Sequence, residues 1–377
     1  MKTAQFPNQS RQMGVVPLLS VVVLSYNGMD HLAECLQTIF AQDFKNFEVI
    51  VVDNGSTDGS VEYIKSYQST VTLIQLDQNR GFCIGMNRGV EKAKGKFVLL
   101  LNQDLSLDKA CFSALMESWE NPPPDNIFAP DSNAERPVIG VFPKVMFYSA
   151  PNFINAFGAE WFVDCHWRDS RVGLPDLGAF EISETVFGSI FPAVLFDKDK
   201  FLKIGGFDPM FVSYCEDFDV CYRSNILGYR FITAPKAVIR HKYRASSTDR
   251  TNPLQSRFWF LRNYLLVFLK NYETKNLVKY GCRIFKRYLW NSLRHAMATR
   301  NRAEIAMNIR VLGSIIKKIP VIYRNRRQIQ RNRKFADRVF WQTGEVEDFN
   351  IFHVEGSIVL SLKSLRTGKG DSDRQRS

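Results

Sequence analysis

The chain has 377 residues, 45% hydrophobic and 23% charged, with seven cysteines and a formal net charge of +12. This composition excludes a disordered chain and leaves room for one large core or two modest ones. The cysteines are odd in number, scattered and without a C-x-x-C pair, which excludes a zinc knuckle or a disulfide framework and points to a reducing cytosol.

The first twenty residues, MKTAQFPNQSRQMGVVPLLS, lack a long apolar core before a small-residue cleavage site. Nowhere do about 18 uncharged apolar residues run together. We therefore expect a cytoplasmic protein with neither a signal peptide nor a spanning helix.

Strand and helix patterns alternate through the first hundred residues. Leu18 to Leu24 predicts a strand, and Leu32, Cys35, Leu36, Ile39 and Phe40 then fall on one face of a helix. Phe47 to Val52, Val71 to Leu76 and Phe97 to Leu101 predict further strands, separated by helices over Ser60 to Tyr67 and Phe82 to Lys94. Such alternation predicts an α/β fold, a mostly parallel sheet covered by helices on both faces. Ligands bind such sheets beyond the carboxyl ends of their strands. The polar clusters SYNG, DNGSTDGS, NRGF and NQD fall there, one after each strand.

After Trp119 the segment NPPPDNIFAPDSNAERP reads as a surface loop, because strand-like VIGVFPKVMF follows at once. A less regular half then runs to about Ser247. It holds strand-like Phe187 to Phe196, a helix near Asp197 to Ile204, the turn GGFDP, a helix from Cys215, and strand-like Tyr229 to Thr233 and Ala237 to Arg240. Beyond Pro253 the pattern is helical and strongly basic. Thr251 to Phe340 carries 21 lysines and arginines against three acids, Glu273, Glu304 and Asp337. A mildly acidic body thus carries a basic extension. The end, from about Gly368, has the composition of a disordered tail.

The ordered series SVVVLSYN, VVDNGSTDGS, NRGFCIGMNRG, LLLNQD, GGFDPMF, EDFDVCYR, GYR and His241 resembles the inverting family 2 glycosyltransferases of the GT-A fold. Within them it looks most like the rhamnosyltransferase-like branch that builds bacterial surface polysaccharides. The resemblance covers roughly residues 18 to 271. It implies an N-terminal arm (1–17), a GT-A catalytic domain (18–250) with a nucleotide-sugar half (18–119) and an acceptor half (138–250), a basic helical extension (251–340) and a tail (341–377).

A sugar nucleotide presents a base, a ribose and two phosphates, so its site needs polar contacts and a cation. The resemblance puts Asp53 and Asn54 on the base and ribose, where the bare sequence equally allows a capped turn. Ser25, Tyr26 and Asn27 occupy the neighbouring loop. In NRGFCIGMNRG, Gly81 lets backbone approach a ligand, with Asn79, Arg80, Phe82 and Asn87 around it. Because this is not G-x-G-x-x-G, a nicotinamide site is poorly supported.

Asn102, Gln103 and Asp104 stand where the family has its D-x-D-like motif. Asp104 is the expected carboxylate for a divalent Mg²⁺ or Mn²⁺ on the diphosphate, although Asn102 in the first position weakens the protein's own hold on metal. The resemblance supplies His241 as a second metal ligand, Asp217 as the base that deprotonates the acceptor and Glu216 as a holder of an acceptor hydroxyl. Helix capping is the plain alternative for Asp104 and for the acidic pair, and a surface or core role for the histidine. Asp219 is expected to be structural or to pair with Arg223 on the same helix.

The donor expected first is dTDP-rhamnose, with a UDP-hexose as alternative, and the acceptor a saccharide or polyprenyl-diphosphate-linked glycan. A non-catalytic sugar-nucleotide-binding or scaffold protein is the reading from another class. In the extension, Phe258, Trp259, Leu261, Leu265, Leu266, Phe268 and Leu269 beside Arg257, Arg262 and Lys270 suggest a helix lying on the cytoplasmic face of an anionic membrane, each cation adding on the order of 1 kcal/mol. A helical lid packed on the catalytic domain fits the same pattern. No recognition motif for nucleic acid accompanies the charge.

Overall fold

The computed structural model describes residues 16–67, 69–125, 135–163, 165, 167–242 and 252–342. Most of the expected N-terminal arm, the middle of the Pro-rich loop and nearly all of the tail lie outside them.

In chain order the elements are β1 (Leu19–Ser25), α1 (Met29–Phe40), β2 (Phe47–Asp53), α2 (Ser60–Lys65), β3 (Val71–Gln75), α3 (Phe82–Lys92), β4 (Phe97–Asn102), β5 (Leu105–Leu107) and α4 (Cys111–Glu120). The second half adds β6 (Val138–Phe147), β7 (Ala150–Ala156), β8 (Ala159–Phe162), β9 (Trp167–Asp169), β10 (Thr185–Val186), β11 (Ala193–Asp197), α5 (Lys198–Lys203), α6 (Glu216–Ile226) and β12 (Arg230–His241). Helices α7 (Pro253–Asn271), α8 (Thr274–Phe285), α9 (Asn291–Ala298) and α10 (Arg302–Asn332) follow, then β13 (Trp341–Gln342).

One large sheet organises the molecule, in the order β10-β12-β6-β11-β4-β1-β2-β3, with β5 added on β12 and β7 on β6. Strands β4, β1, β2 and β3 are parallel, whereas β11 runs antiparallel between β4 and β6. This is the expected α/β architecture, a mostly parallel mixed sheet. Its order reverses at β1, where β4 lies on one side and β2 on the other, so the crevice beyond the carboxyl ends of β1 and β4 is where ligands bind in such sheets.

Valine and leucine runs form the central strands because both of their faces are covered. Residues Val21, Val23, Val51, Leu99 and Leu101 pack against α1 and α4 on one face, while Val22, Val52, Val98 and Leu100 join a larger cluster with α3, α6, α7 and α10 on the other. Helix α3 lies tight on β1. A Cβ added at Gly89 would sit 2.2 Å from Val22 Cγ1, so only glycine permits that approach.

Three sequence expectations change. Phe187 to Phe196 is strand only over Ala193–Asp197, and Gly188 in the segment before it makes an isolated bridge to Ala159 instead. The two strand-like segments around residues 229–240 are one strand, β12, with a register shift between Ala234 and Val238. The basic stretch is not an appended module: Phe258, Leu261, Leu265, Leu266 and Phe268 of α7 are buried in the same core as the sheet. The face assigned to a membrane is therefore occupied by the protein itself, and α7 is the packed-helix alternative. No helix among the described residues is long and apolar enough to cross a membrane.

Candidate functional site

The polar loops after β1, β2, β3 and β4 are tied to one another. Asn27, at φ 44°, accepts from Thr57 N–H at 2.9 Å and donates its own N–H to Ser56 Oγ, which joins SYNG to DNGST. Asn54 joins the second loop to the third: its amide donates to Asn79 Oδ1 at 3.1 Å and its oxygen accepts Arg80 N–H at 2.8 Å. Gln103 joins the fourth loop to the first, its carboxamide pairing with both backbone groups of Tyr26 at 2.9 and 3.0 Å.

Several residues expected on the nucleotide are thereby engaged by the protein. The amides of Asn54, Asn79 and Gln103 brace loops, Arg80 pairs with Asp77 at 2.7 Å in solvent, and Asn87 holds both backbone groups of Phe207 in the GGFDP turn. Phe82 packs edge-on against Phe207. Two buried atoms are left over. Ser25 Oγ and Asp53 Oδ1 find no hydrogen-bond partner among the described residues, and the two residues face each other in register at the ends of β1 and β2. Buried polar atoms are normally satisfied, so this pair is free to bond a polar group from outside the described residues. The exposed ring of Tyr26 stands beside it.

The metal residues meet because of strand pairing. Immediately after Asp104, β5 runs antiparallel to the end of β12, with Leu105 opposite His241, and Lys242 N–H donates to the Asp104 carbonyl at 3.0 Å. This sets His241 Nε2 at 3.5 Å from Asp104 Oδ2, both residues buried. Asn155 on β7 presents its carboxamide oxygen to His241 Nδ1 at 2.8 Å. An oxygen at Nδ1 favours the proton on that nitrogen whenever Nε2 binds a metal beside the carboxylate. One carboxylate oxygen and one imidazole nitrogen, side by side at the crevice, suit a divalent ion that takes its remaining ligands from diphosphate and water. No cluster of three or more His, Cys, Asp or Glu exists among the described residues. Asn102 is only partly buried beside this pair, and its N–H is bonded to the Pro192 carbonyl at 2.9 Å.

The acidic pair is linked to the same point. Phe191 N–H bonds Asp217, and the next residue, Pro192, receives Asn102. A two-residue segment therefore spans from the end of β4 to the start of α6. Burial raises both carboxyls, Asp217 in spite of its backbone hydrogen bonds, and Glu216 further through the charge of Asp217. Glu216 Oε2 is buried without a hydrogen-bond partner among the described residues.

The loop that delivers this pair is strained. Val212, Tyr214 and Cys215 all have left-handed backbone, at φ 66°, 70° and 61°, which is costly for residues with a Cβ and most of all for valine. Helix α7 holds it there. The Asn263 amide donates to the carbonyls of Phe211, Ser213 and Tyr214 at 2.9, 2.8 and 2.6 Å, and Arg262 donates to those of Met210 and Phe211. Gly81, at φ 83°, lies so close to this loop that an added Cβ would meet Val212 at 2.7 Å. Below it, the expected Asp219–Arg223 pair forms at 2.7 Å and extends through Lys270 to Asp208.

Asn155, Arg262, Asn263 and Lys270 have no motif around them. The signal for the last three was polar residues set within the apolar run FWFLRNYLLVFLKN. For Asn155 there was none.

Known proteins resemble this chain in its first third by sequence and in its overall fold. Residues 20–132 match the model of glycosyl transferase family 2. A Bacillus subtilis protein named as a teichuronic acid biosynthesis glycosyltransferase, TuaG, is 31% identical over 91 residues, 23% of this chain and 36% of that relative. The chain thus spans well under half of that relative's length. Staphylococcus aureus TarS 1-349 in complex with UDP aligns over 93% of this chain and 92% of its own, with TM-score 0.50 and 16% identity. GalNAc-T7 with UDP, GalNAc and Mn²⁺ aligns over 72% and 50%, with TM-score 0.53 and 16% identity. These likenesses show the fold. The GT-A architecture and the family 2 resemblance read from the motifs both stand.

Proposed function

We infer that this chain, a family 2 glycosyltransferase of GT-A fold, transfers a sugar with inversion from a nucleotide donor to a glycan or lipid-linked acceptor in bacterial surface polysaccharide assembly. The observation that carries the reading is the meeting of Asp104, His241 and the Glu216–Asp217 pair around the Phe191–Pro192 segment, at the crevice where Ser25 and Asp53 leave buried polar atoms unbonded. TuaG's name supports a polysaccharide setting, and the complexes of TarS and GalNAc-T7 with UDP support a nucleotide-sugar donor.

Base and ribose lie against Ser25, Tyr26 and Asp53. Asp104 and His241 Nε2 would hold the Mg²⁺ or Mn²⁺, which when bound offsets the charge of the leaving diphosphate. Asp217 takes the proton of the acceptor hydroxyl as that oxygen attacks the anomeric carbon, and the bond to the diphosphate breaks on the opposite face. Glu216 orients the acceptor. Its raised pKa lets it stand neutral beside an ionised Asp217, donating rather than accepting a hydrogen bond. The donor tested first is dTDP-rhamnose. A cytoplasmic location belongs to the same reading, since nucleotide sugars are made there.

The reading is tested by nucleotide release from a panel of dTDP-, UDP- and GDP-sugars with a divalent ion present. One nucleotide class should be released, and binding of none by folded protein would remove the enzyme reading. The histidine's role makes a sharper prediction. Asn155→Ala frees the His241 ring without touching a ligand atom, so the metal concentration for half-maximal release should rise about 10- to 100-fold with the saturated rate little changed. An unchanged metal titration would remove His241 from the metal site.

A further inference from the structure

We propose that the outer face of α10 is a docking surface for an anionic lipid bilayer. It is a different surface from the α7 face, which the core consumes, and the inference does not depend on which donor the site uses.

Helix α10 buries Met307, Val311, Ile322 and Ile329 inward. Its outward side repeats an apolar residue followed by a cation every seventh position, Ile309 and Arg310, Ile316 and Lys317, Tyr323 and Arg324, with the Arg310 guanidinium folded over the Phe258 ring at 5.1 Å. Seven residues are nearly two helical turns, so the three apolar side chains form one stripe and the three cations form a second alongside it. Ile309, Ile316 and Tyr323 are 60%, 61% and 65% exposed. Ile319, between the last two, is 54% exposed. A water-soluble surface does not ordinarily keep large apolar side chains this open in a continuous row.

The charge identifies the occupant. The helix holds one acid, Glu304, and that is engaged by Arg257 at 2.7 Å. Lys317 and Arg324 are exposed and pair with no acid among the described residues. A protein partner covering this row would need both an apolar groove and a line of acids, whereas an anionic bilayer supplies apolar depth and a negative surface in one plane. Isoleucines and a tyrosine entering the headgroup boundary beside a rail of Lys and Arg are the chemistry of an interfacial helix. Exposed Val278, Phe285, Trp290 and Met297 with Lys275, Lys279 and Lys286 extend the same composition through α8, the π-helical turn Lys286–Trp290 and α9.

The test is flotation of the full chain with vesicles of phosphatidylcholine alone or with phosphatidylglycerol. The protein should float with the anionic vesicles only, and binding should fall steeply as salt rises through the physiological range. Ile316→Glu with Tyr323→Glu, and separately Lys317→Glu with Arg324→Glu, should each weaken binding by about tenfold or more. Because all four side chains point into solvent, unfolding temperature and nucleotide release should be unchanged. Wild-type chain that ignores anionic vesicles, binds neutral ones equally, or binds as well with either double substitution would overturn the proposal. So would a dimer, seen by light scattering, that the Ile316→Glu variant abolishes, or vesicle binding that appears only after residues beyond 342 are removed. Those two results would give the stripe to a second copy or to the chain's own tail.

Discussion

Asp217→Asn should lower the transfer rate by about 10²- to 10⁴-fold while leaving donor affinity and folding close to wild type. The substitution keeps shape and removes only the ability to take a proton. Asp217 accepts Phe218 N–H at 2.8 Å through Oδ1, a bond an asparagine oxygen can also accept, so the start of α6 survives the change. The pH profile gives an independent reading of the same group. Burial raises the Asp217 carboxyl above the ordinary carboxylate range, and a base must be ionised. Activity is therefore full above that raised pKa and declines as pH falls through it, which puts the acid limb above the ordinary carboxylate range near pH 4. The limb is read from kcat/KM against pH in wild type. A limb in the ordinary carboxylate range, or an Asp217→Asn variant with wild-type rate, would move the base to another residue.

The second large effect is on stability. Lys270 on α7 is 1% exposed and touches Asp208 in the GGFDP turn and Asp219 on α6, at 2.5 and 2.9 Å. Arg223 shares Asp219 and also donates to the carbonyls of Ile204 and Gly206. Lys270→Met keeps the length of the stem but leaves buried Asp219 to Arg223 and Asn271, and partly buried Asp208 to the Met210 N–H and the Asn325 amide, with no cation in contact. Removing one partner from a buried pair costs about 3–5 kcal/mol, and urea unfolding should show a loss of that size. The network is also acid-sensitive. Burial alone would raise Asp208, but Lys270 more than offsets it and holds the carboxyl down to about 2. A depressed carboxylate stabilises the fold above its unfolded pKa of about 4, and this contribution is lost as pH falls toward 2. In Lys270→Met that acid dependence should shrink. A loss below about 1 kcal/mol would mean the three charges are not coupled in the folded chain.

Both effects pass through α7, which is where reading the sequence and reading the structure part company. The first sheet strands were legible because valine and leucine runs alternate with helical periodicity and each ends in a polar cluster. The partnership of Asp104 with His241 was also legible, but only through family resemblance. Its physical cause, the β5–β12 ladder, involves a three-residue strand too short to leave a pattern. Asn155 could not be found at all, since a lone asparagine on an edge strand resembles any turn residue. Helix α7 misled for a specific reason: an apolar face flanked by Arg262 and Lys270 has the same composition whether it faces lipid or a core that needs those cations. Arg262 and Lys270 are in fact buried, one on loop carbonyls and the other between two aspartates. The Asn54, Asn79 and Gln103 amides illustrate the converse. Their loops were placed correctly, yet which polar groups face a ligand and which brace the loop depends on contacts between segments distant in sequence.

The central claim is that Asp217 activates the acceptor for a single displacement at the anomeric carbon. It is tested most directly by the anomeric configuration of the first product formed, read from the proton–proton coupling of its anomeric signal by NMR. The account predicts a product of configuration opposite to that of the donor sugar. A product that retains the donor's configuration would contradict it, because retention requires either two displacements or a same-face attack, and neither uses Asp217 as the base described.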